Sequence, residues 1–263
     1  MERHENIEVA EFYTQRIMDF MTGKRTMPSV SLAHRPEGIH ASDLDDNNCP
    51  LTSFYSRTLE SPPPITRDEA LKFFRGRTVE RVIAQEAEPR EVNGIWMTVD
   101  DVSDEYGLAE IKSTATSNVG FLPDVDFPQW VTRMKSYCYG YEKKQIHLVV
   151  YFLVGNMPSY TVWNIKDLPK GTSYCGVDLR VWTYEFTDSE LRAWWLLAEE
   201  RAEELSGAIL THSPPSPDSV RERLPFRLNK KGEKVFWQCR YCRYSPYCYY
   251  HEQFTLNNGN GRG

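Results

Sequence analysis

The chain has 263 residues, 40% hydrophobic and 13% aromatic, and a formal net charge of −6 at pH 7. That is enough apolar material for a sizeable core, in one large domain or one domain with a small appendage. No stretch approaches the roughly 20 apolar residues of a membrane span, the start MERHENIEVAEFY is too charged for a signal peptide, and the acidic balance excludes an indiscriminate nucleic-acid coat while leaving a local basic groove open. The expectation is a soluble, cytoplasmic protein.

In chain order, residues 5–22 predict an amphipathic helix with Ile7, Ala10, Phe12, Ile17, Phe20 and Met21 on its apolar stripe. After a proline- and glycine-containing loop, IHASDLDDNNCPLTSFYSRTL predicts a short turn capped by Ser42. Pro50 then opens a helix carrying Leu51, Phe54 and Tyr55. SPPPITRDEA ends that helix, and Thr66 with Glu69 makes the capping box of another that runs to about residue 86. Residues 93–114 read as a hairpin with strands at 95–102 and 108–114. Residues 127–142 read as a helix from Pro128, with Trp130, Met134, Tyr137 and Tyr141 on one side. The apolar run 146–154 predicts a buried strand, 160–165 and 179–186 two more, and Asp188 caps a long helix to about residue 210. SPPSPDS reads as a linker, residues 221–243 as a basic run that is a solvated face or a path for phosphates, and NNGNGRG as a disordered tail. There is no internal repeat. The order predicts an α/β domain with a mixed sheet: a helical region over 1–66, the core over 67–212, a basic linker with a cysteine cluster over 213–255, and the tail over 256–263.

The hairpin carries candidate chemistry. If its turn (103–107) centres near Glu105, Asp100 lies opposite Glu110 and Thr98 opposite Lys112. Alternation puts Glu110 and Lys112 on one face, where Asp100 joins them across the ladder. Two carboxylates offer hard oxygen ligands for Mg²⁺ or Mn²⁺, and a lysine beside them can orient a water or stabilise charge on a phosphate. A plain surface hairpin with exposed charges has the same spacing, so the motif alone is weak.

Six cysteines in a cytosolic protein are not expected to form disulfides. Cys138 and Cys175 stand alone as ordinary thiols. Cys239, Cys242 and Cys248 form a C-x-x-C-x5-C pattern among Trp237, Tyr241, Tyr244 and Tyr247, which is a ligand signal. Two readings stay open. Zinc would be closed locally with His251 as fourth ligand. An iron–sulfur cluster would recruit Cys49, whose place before Pro50 at a helix start suits a negative group. His40, His147 and His212 have no ligand-like spacing.

One cysteine far upstream, an aspartate and E-x-K on a hairpin, and C-x-x-C-x5-C at the end resemble the iron–sulfur RecB-like nucleases of the PD-(D/E)XK superfamily. These include the small exonucleases of CRISPR adaptation modules, phage-encoded relatives and the AddB nuclease domain. HASDLDDNNCP resembles the segment with the first cluster cysteine, Cys49. FRGRTVERVIAQE resembles the first nuclease motif, through Gly76 and Glu80. TVDDV resembles the metal-binding aspartate motif, with Asp100 the match and Asp101 the neighbour a one-residue bulge would substitute. EIKST gives Glu110 and Lys112, and WVTRMKSYCYGY resembles the QxxxY helix motif at Tyr137. Two positions depart from the pattern. Many CRISPR-type members have histidine where Glu80 stands, and Arg133 takes the place of the glutamine, unless Gln129 one turn earlier serves.

The resemblance implies an α/β, restriction-endonuclease-like core with a mixed central sheet flanked by helices, and an iron–sulfur region joining the N- and C-terminal segments. It implies a DNA exonuclease acting on single-stranded or free ends in recombination, replication or CRISPR adaptation. Asp100, Glu110 and the Ile111 carbonyl would bind Mg²⁺ or Mn²⁺, Glu80 would complete or extend the site, Lys112 would position water, and Tyr137 would serve the helix motif. A structural [4Fe–4S] cluster would sit on Cys49, Cys239, Cys242 and Cys248. DNA is the implied partner, with a helicase, integrase or recombination protein beside it. A non-catalytic DNA-binding or scaffold subunit with a cysteine-ligated zinc is the reading of another class, and a scaffold has no need of Asp100, Glu110 and Lys112 together.

Overall fold

The apolar run QIHLVVYF becomes β7 (Gln145–Phe152), the central strand of a five-stranded mixed sheet. A strand apolar on both faces has to lie between two covering layers. In this computed structural model, which describes residues 1–26, 36–46, 48–85, 87–154, 177–224, 226–228, 234–236, 238–239, 242–248 and 250, β7 pairs in parallel with β6 (Gly107–Thr114) and antiparallel with β8 (Asp178–Glu185). β5 (Asp101–Ser103) and β1 (Glu2–Glu5) pair antiparallel with β6 and β8 at the two edges.

Side-chain alternation divides the core in two. Ala109, Ile111, Val149 and Val181 face a layer made by α1 (Ile7–Met21) and α4 (Arg67–Ile83), through Val9, Tyr13 and Ile83. Leu108, Leu148, Val150 and Trp182 lie in the larger core with Met134 and Tyr137 of α6 (Pro128–Gly140) and Trp194 and Trp195 of α7 (Asp188–Thr211). Glu110 and Lys112 share the face of Leu108, so the sheet carries a carboxylate into its apolar side.

The expected strand 95–102 is two strands. β4 (Ile95–Met97) leaves the main sheet and joins a three-stranded sheet between β2 (Ile39–His40) and β3 (Arg90–Val92). Asn93 and Gly94, with φ of 51° and 77°, form the two-residue turn from β3 into β4, where Asn-Gly suits a turn that needs two positive φ values. The 93–114 hairpin therefore begins one strand too early, and Thr98 lies outside any strand rather than opposite Lys112. The rest of the register is as expected: Ser103 opposes Gly107 and Asp101 opposes Ala109, which leaves Asp100 at the end of the ladder beside Glu110.

Several expectations need correction. Residues 1–66 are not a separate helical region, because β1 and α1 are an edge strand and a covering layer of the main sheet. In α1 the buried residues are Val9, Tyr13 and Arg16, while Ile7 and Met21 are exposed. His40, not Ser42, caps α2 (Ala41–Leu44), its amide donating to Asp43. The presumed linker is α8 (Pro217–Arg223), with Ser216 as N-cap and Pro217 at the first position. α5 (Pro123–Asp126) was not foreseen. α3 (Pro50–Thr58) and the Thr66–Glu69 capping box are as expected, and Thr187 rather than Asp188 caps α7. The strand at 160–165, Cys175, His251, Trp237, Tyr241, Lys230, Lys231, the side chain of Lys234 and the tail lie outside the described residues. Among the described residues no helix is long and apolar enough to cross a membrane.

The two aspartates of TVDDV point to opposite faces and do different work. Asp101 is fully buried and accepts from Tyr13 Oη at 2.8 Å, Arg16 Nη1 at 2.7 Å and the Gln85 amide at 2.6 Å. It fastens α1 and the end of α4 to β5. Asp100 faces the other way, so no bulge brings Asp101 in its place. Asp101→Ala leaves Arg16 buried without its carboxylate and should lower stability by roughly 3–5 kcal/mol. Asp100→Ala should cost less, because relief of its repulsion with Glu110 offsets the loss of the acceptor for the Ile111 amide. Urea unfolding of both variants checks this, and equal losses would refute the division of labour.

Candidate active site

Asp100, at the ladder end, accepts from the Ile111 amide at 2.7 Å and lies 3.5 Å from Lys112 Nζ. Lys112 also donates to the Ile111 carbonyl at 3.1 Å and is in ion-pair contact with Glu110. Glu110 is 0% exposed, and Lys112 stands against its Oε1. On α4, Glu80 is half-buried, one turn before Ile83. Burial raises its pKa first, and the charge of Asp100 raises it further, against Lys112, Arg77 and Arg81. Burial pulls the Lys112 ammonium down, but Asp100 and Glu110 outweigh it and hold the group charged. Tyr137 is buried on α6, its pKa raised first by burial and then by Glu110. Glu80, Asp100, Glu110, Lys112 and Tyr137 thus occupy one electrostatic neighbourhood, with the Ile111 carbonyl inside it.

Arg133 lies one turn before Tyr137 on the same face of α6. It is Arg133 that reaches Glu110, Nη1 standing 3.5 Å from Oε1. Its other edge binds a residue that was not singled out in the sequence: Nε donates to Asp45 Oδ2 at 2.8 Å, and Nη2 lies 2.6 Å from the same oxygen. Asp45 follows α2 in a turn held by four arginines from four helices. Arg57 of α3 pairs with Asp43, Arg133 with Asp45, Arg201 of α7 with Asp46 and the Leu44 carbonyl, and Arg223 of α8 with the Asp43 carbonyl at 2.6 Å. Arg223 belongs to the basic run expected to be a solvated face or phosphate path, yet it is buried in this turn. Three aspartates in four residues, DLDD, were the available signal for the missed site.

The same segment leads to the cysteines. Cys49, Cys239, Cys242 and Cys248 line one small cavity with Leu51, Tyr55 and Tyr244, and no disulfide joins them. Cys49 is the N-cap of α3. Burial pushes its thiol up to about 11, and the amides of Leu51 and Thr52, directed at the sulfur, oppose that. Cys239 is pushed up to about 12, by burial first and then by Cys49, Cys248 and Cys242. Four sulfurs lining one cavity, with two amides aimed at one of them, are a donor set suited to a thiophilic centre.

As the side chains lie, no three described His, Cys, Asp or Glu residues are gathered closely enough to share one ion; in the carboxylate site the Lys112 ammonium is the cation in contact with both Asp100 and Glu110. A fully buried carboxylate on Glu110 beside the repelling carboxylate of Asp100 still offers the hard oxygen donors that a divalent ion would satisfy. A cleft of about 660 Å³ beside Tyr139, Asp188 and Trp195 contains none of these carboxylates.

Burial first, and Asp100 next, push Glu110 up to about 8 from its ordinary 4.5, against Lys112 and Arg133. The folded protein therefore binds this proton more tightly than the unfolded chain, and stability present at pH 4.5 is lost as pH rises towards 8. In metal-free protein, Glu110→Gln should flatten that decline. Denaturant midpoints across this range check it, and an unchanged slope in the variant would place the titration elsewhere.

No family model matches the chain, and no curated protein matches it in sequence. Among solved structures it is similar to SSO0001, with 14% identity, 92% of this chain and 96% of that chain covered, and a TM-score of 0.41. It is also similar to a phage-related exonuclease from Haemophilus somnus 129PT, with 10% identity, 77% and 82% covered, and a TM-score of 0.33. Likenesses this distant carry no weight for function, which has to be read from the site's own residues.

Proposed function

We propose that this protein is a metal-dependent deoxyribonuclease, an exonuclease acting on single-stranded DNA ends. The observation that carries the reading is Glu110, a carboxylate fully buried in an apolar sheet face, held by Lys112 and set against Asp100. A structural role gives no reason to place an acid there, whereas a site for a divalent ion does. Asp100, Glu110, Glu80 and the Ile111 carbonyl would hold Mg²⁺ or Mn²⁺, which when bound acidifies water and neutralises phosphate charge. Lys112, kept charged by its acids, supplies donors to the attacking water and to the charge that builds on the phosphate. Tyr137 closes the apolar wall behind Glu110.

The nucleic-acid part of the reading rests on α4. Phe73 and Phe74 are 57% and 71% exposed on the helix that carries Glu80, and Arg77 beside them is exposed too. Unpaired bases stack on such rings while arginines take phosphates. Gly76, one turn before Glu80, has open space where a side chain would be. A helix-interior glycine costs about 1 kcal/mol relative to alanine, and nothing in the protein's packing explains it. Room for a strand passing towards Glu80 does.

Cys49, Cys239, Cys242 and Cys248 would hold a structural [4Fe–4S] cluster, which when bound would cross-link the start of α3 to the C-terminal segment.

Two outcomes follow. With Mn²⁺ and a single-stranded substrate, Asp100→Ala, Glu110→Ala and Lys112→Ala should each lower cleavage about 10²-fold or more in folded protein, since losing one such group is worth roughly 3 kcal/mol. Full activity of purified Glu110→Ala would refute the assignment. Metal analysis should find iron, about four per chain as expected for a Cys₄ cluster; Cys49→Ala should lose it, and His251→Ala should not. One equivalent of zinc, kept in Cys49→Ala and lost in His251→Ala, would replace the cluster with a zinc knuckle.

A further inference from the structure

The Arg133 guanidinium is anchored on one edge and open on the other. Nε and Nη2 both go to Oδ2 of Asp45, which is 1% exposed, while Nη1 approaches Glu110 and 25% of the arginine side chain still meets solvent. A guanidinium has five N–H donors in a rigid plane, and Asp45 takes only those of its inner edge. The outer edge stands beside the carboxylate where the reaction would occur. Nη1 stands 3.5 Å from Glu110 Oε1, whose close partner is Lys112, so Glu110 does not use these donors up. Asp45 is itself immobile: Arg57, Arg201 and Arg223 hold the residues on either side of it.

We propose that Asp45 is a positioning residue that aims Arg133 at a phosphate of a single-stranded nucleic acid lying beside Glu110. This rests on the nuclease reading and extends it to the group that receives the substrate. The chemistry fits a phosphate, because an arginine fork held from behind matches a tetrahedral oxyanion in front. Asp45 works in two ways. It prevents the cation from collapsing fully onto Glu110, and it fixes the plane of the fork. In place of the amide expected at this helix position, the chain has a charged donor and a dedicated acid to steer it.

The test is binding of a fluorescently labelled single-stranded oligodeoxynucleotide, followed by anisotropy with Ca²⁺ in place of Mg²⁺ or Mn²⁺, for Asp45→Asn, Arg133→Gln, Arg133→Lys and the Asp45→Asn/Arg133→Gln double variant. All are compared below their melting temperatures. Arg133→Gln should weaken binding roughly tenfold, the scale of one charge-assisted contact, and lower the salt slope by about 0.7, the share of one phosphate on a single strand. Asp45→Asn and Arg133→Lys keep the cation at position 133 but lose its aim, so binding should weaken comparably with little change of slope. The double variant should match Arg133→Gln. A folded Asp45→Asn that binds like the natural protein would overturn the proposal, as would a double variant whose loss is the product of the two single losses. If Asp45→Asn does not fold, the comparison of the double variant with Arg133→Gln still decides. Cleavage of the same oligonucleotide in Mn²⁺ is scored separately. The expected binding pattern without cleavage defeats the nuclease reading alone, and cleavage with unaffected Asp45→Asn binding defeats the positioning role alone.

Discussion

A carboxylate buried at the centre of an apolar sheet face is the constraint from which the site is built. Glu110 shares its face with Leu108, Leu148 and Val150, and an ionised group there is prohibitive unless cations come to it. Lys112 comes from the same strand, two residues on. Arg133 comes from α6, which fixes the side of that helix turned to the sheet. Asp45 then balances Arg133, and the requirement passes from the sheet to a turn outside it. Each step answers the charge left by the previous one.

The DLDD turn is where these demands converge. Its residues take arginines from α3, α6, α7 and α8, and three residues after Asp46 comes Cys49, at the head of α3. Structural support and candidate chemistry therefore share one short stretch of backbone.

Much of this was legible in the sequence, for identifiable reasons. The 2.0 period of β6 and the turn around Glu105 gave the pairing of Asp100 with Glu110, because register in a short hairpin is a local property. The capping box at Thr66 and the apolar run of β7 were equally local. What was missed depended on distant partners. The break after Met97 arises because β4 pairs with Ile39 and His40, more than fifty residues upstream. Asn93-Gly94 was in plain view as a turn signal and was assigned to the wrong hairpin. Asp45 looked like one acid among several, since nothing local says that an arginine 88 residues away will claim it. SPPSPDS read as a linker because serine and proline mark loops and helix starts alike.

The adjacent aspartates of β5 have a consequence for how the chain can go wrong. If β5 slipped by one residue against β6, Asp100 would turn towards Arg16 and Tyr13, and Asp101 would turn to the face of Glu110. The buried arginine would still find a carboxylate, so the misaligned form would forfeit little of the electrostatic reward of the correct one. Charge does not protect this register. The guard is the turn itself, where Ser103 Oγ accepts the amides of Glu105 and Tyr106 and Gly107 takes a φ of 81°. A residue with a side chain at Gly107 would strain the alignment at its one fixed point. A fault at the carboxylate site introduced there would arise as a folding error, in a residue that lies outside that site.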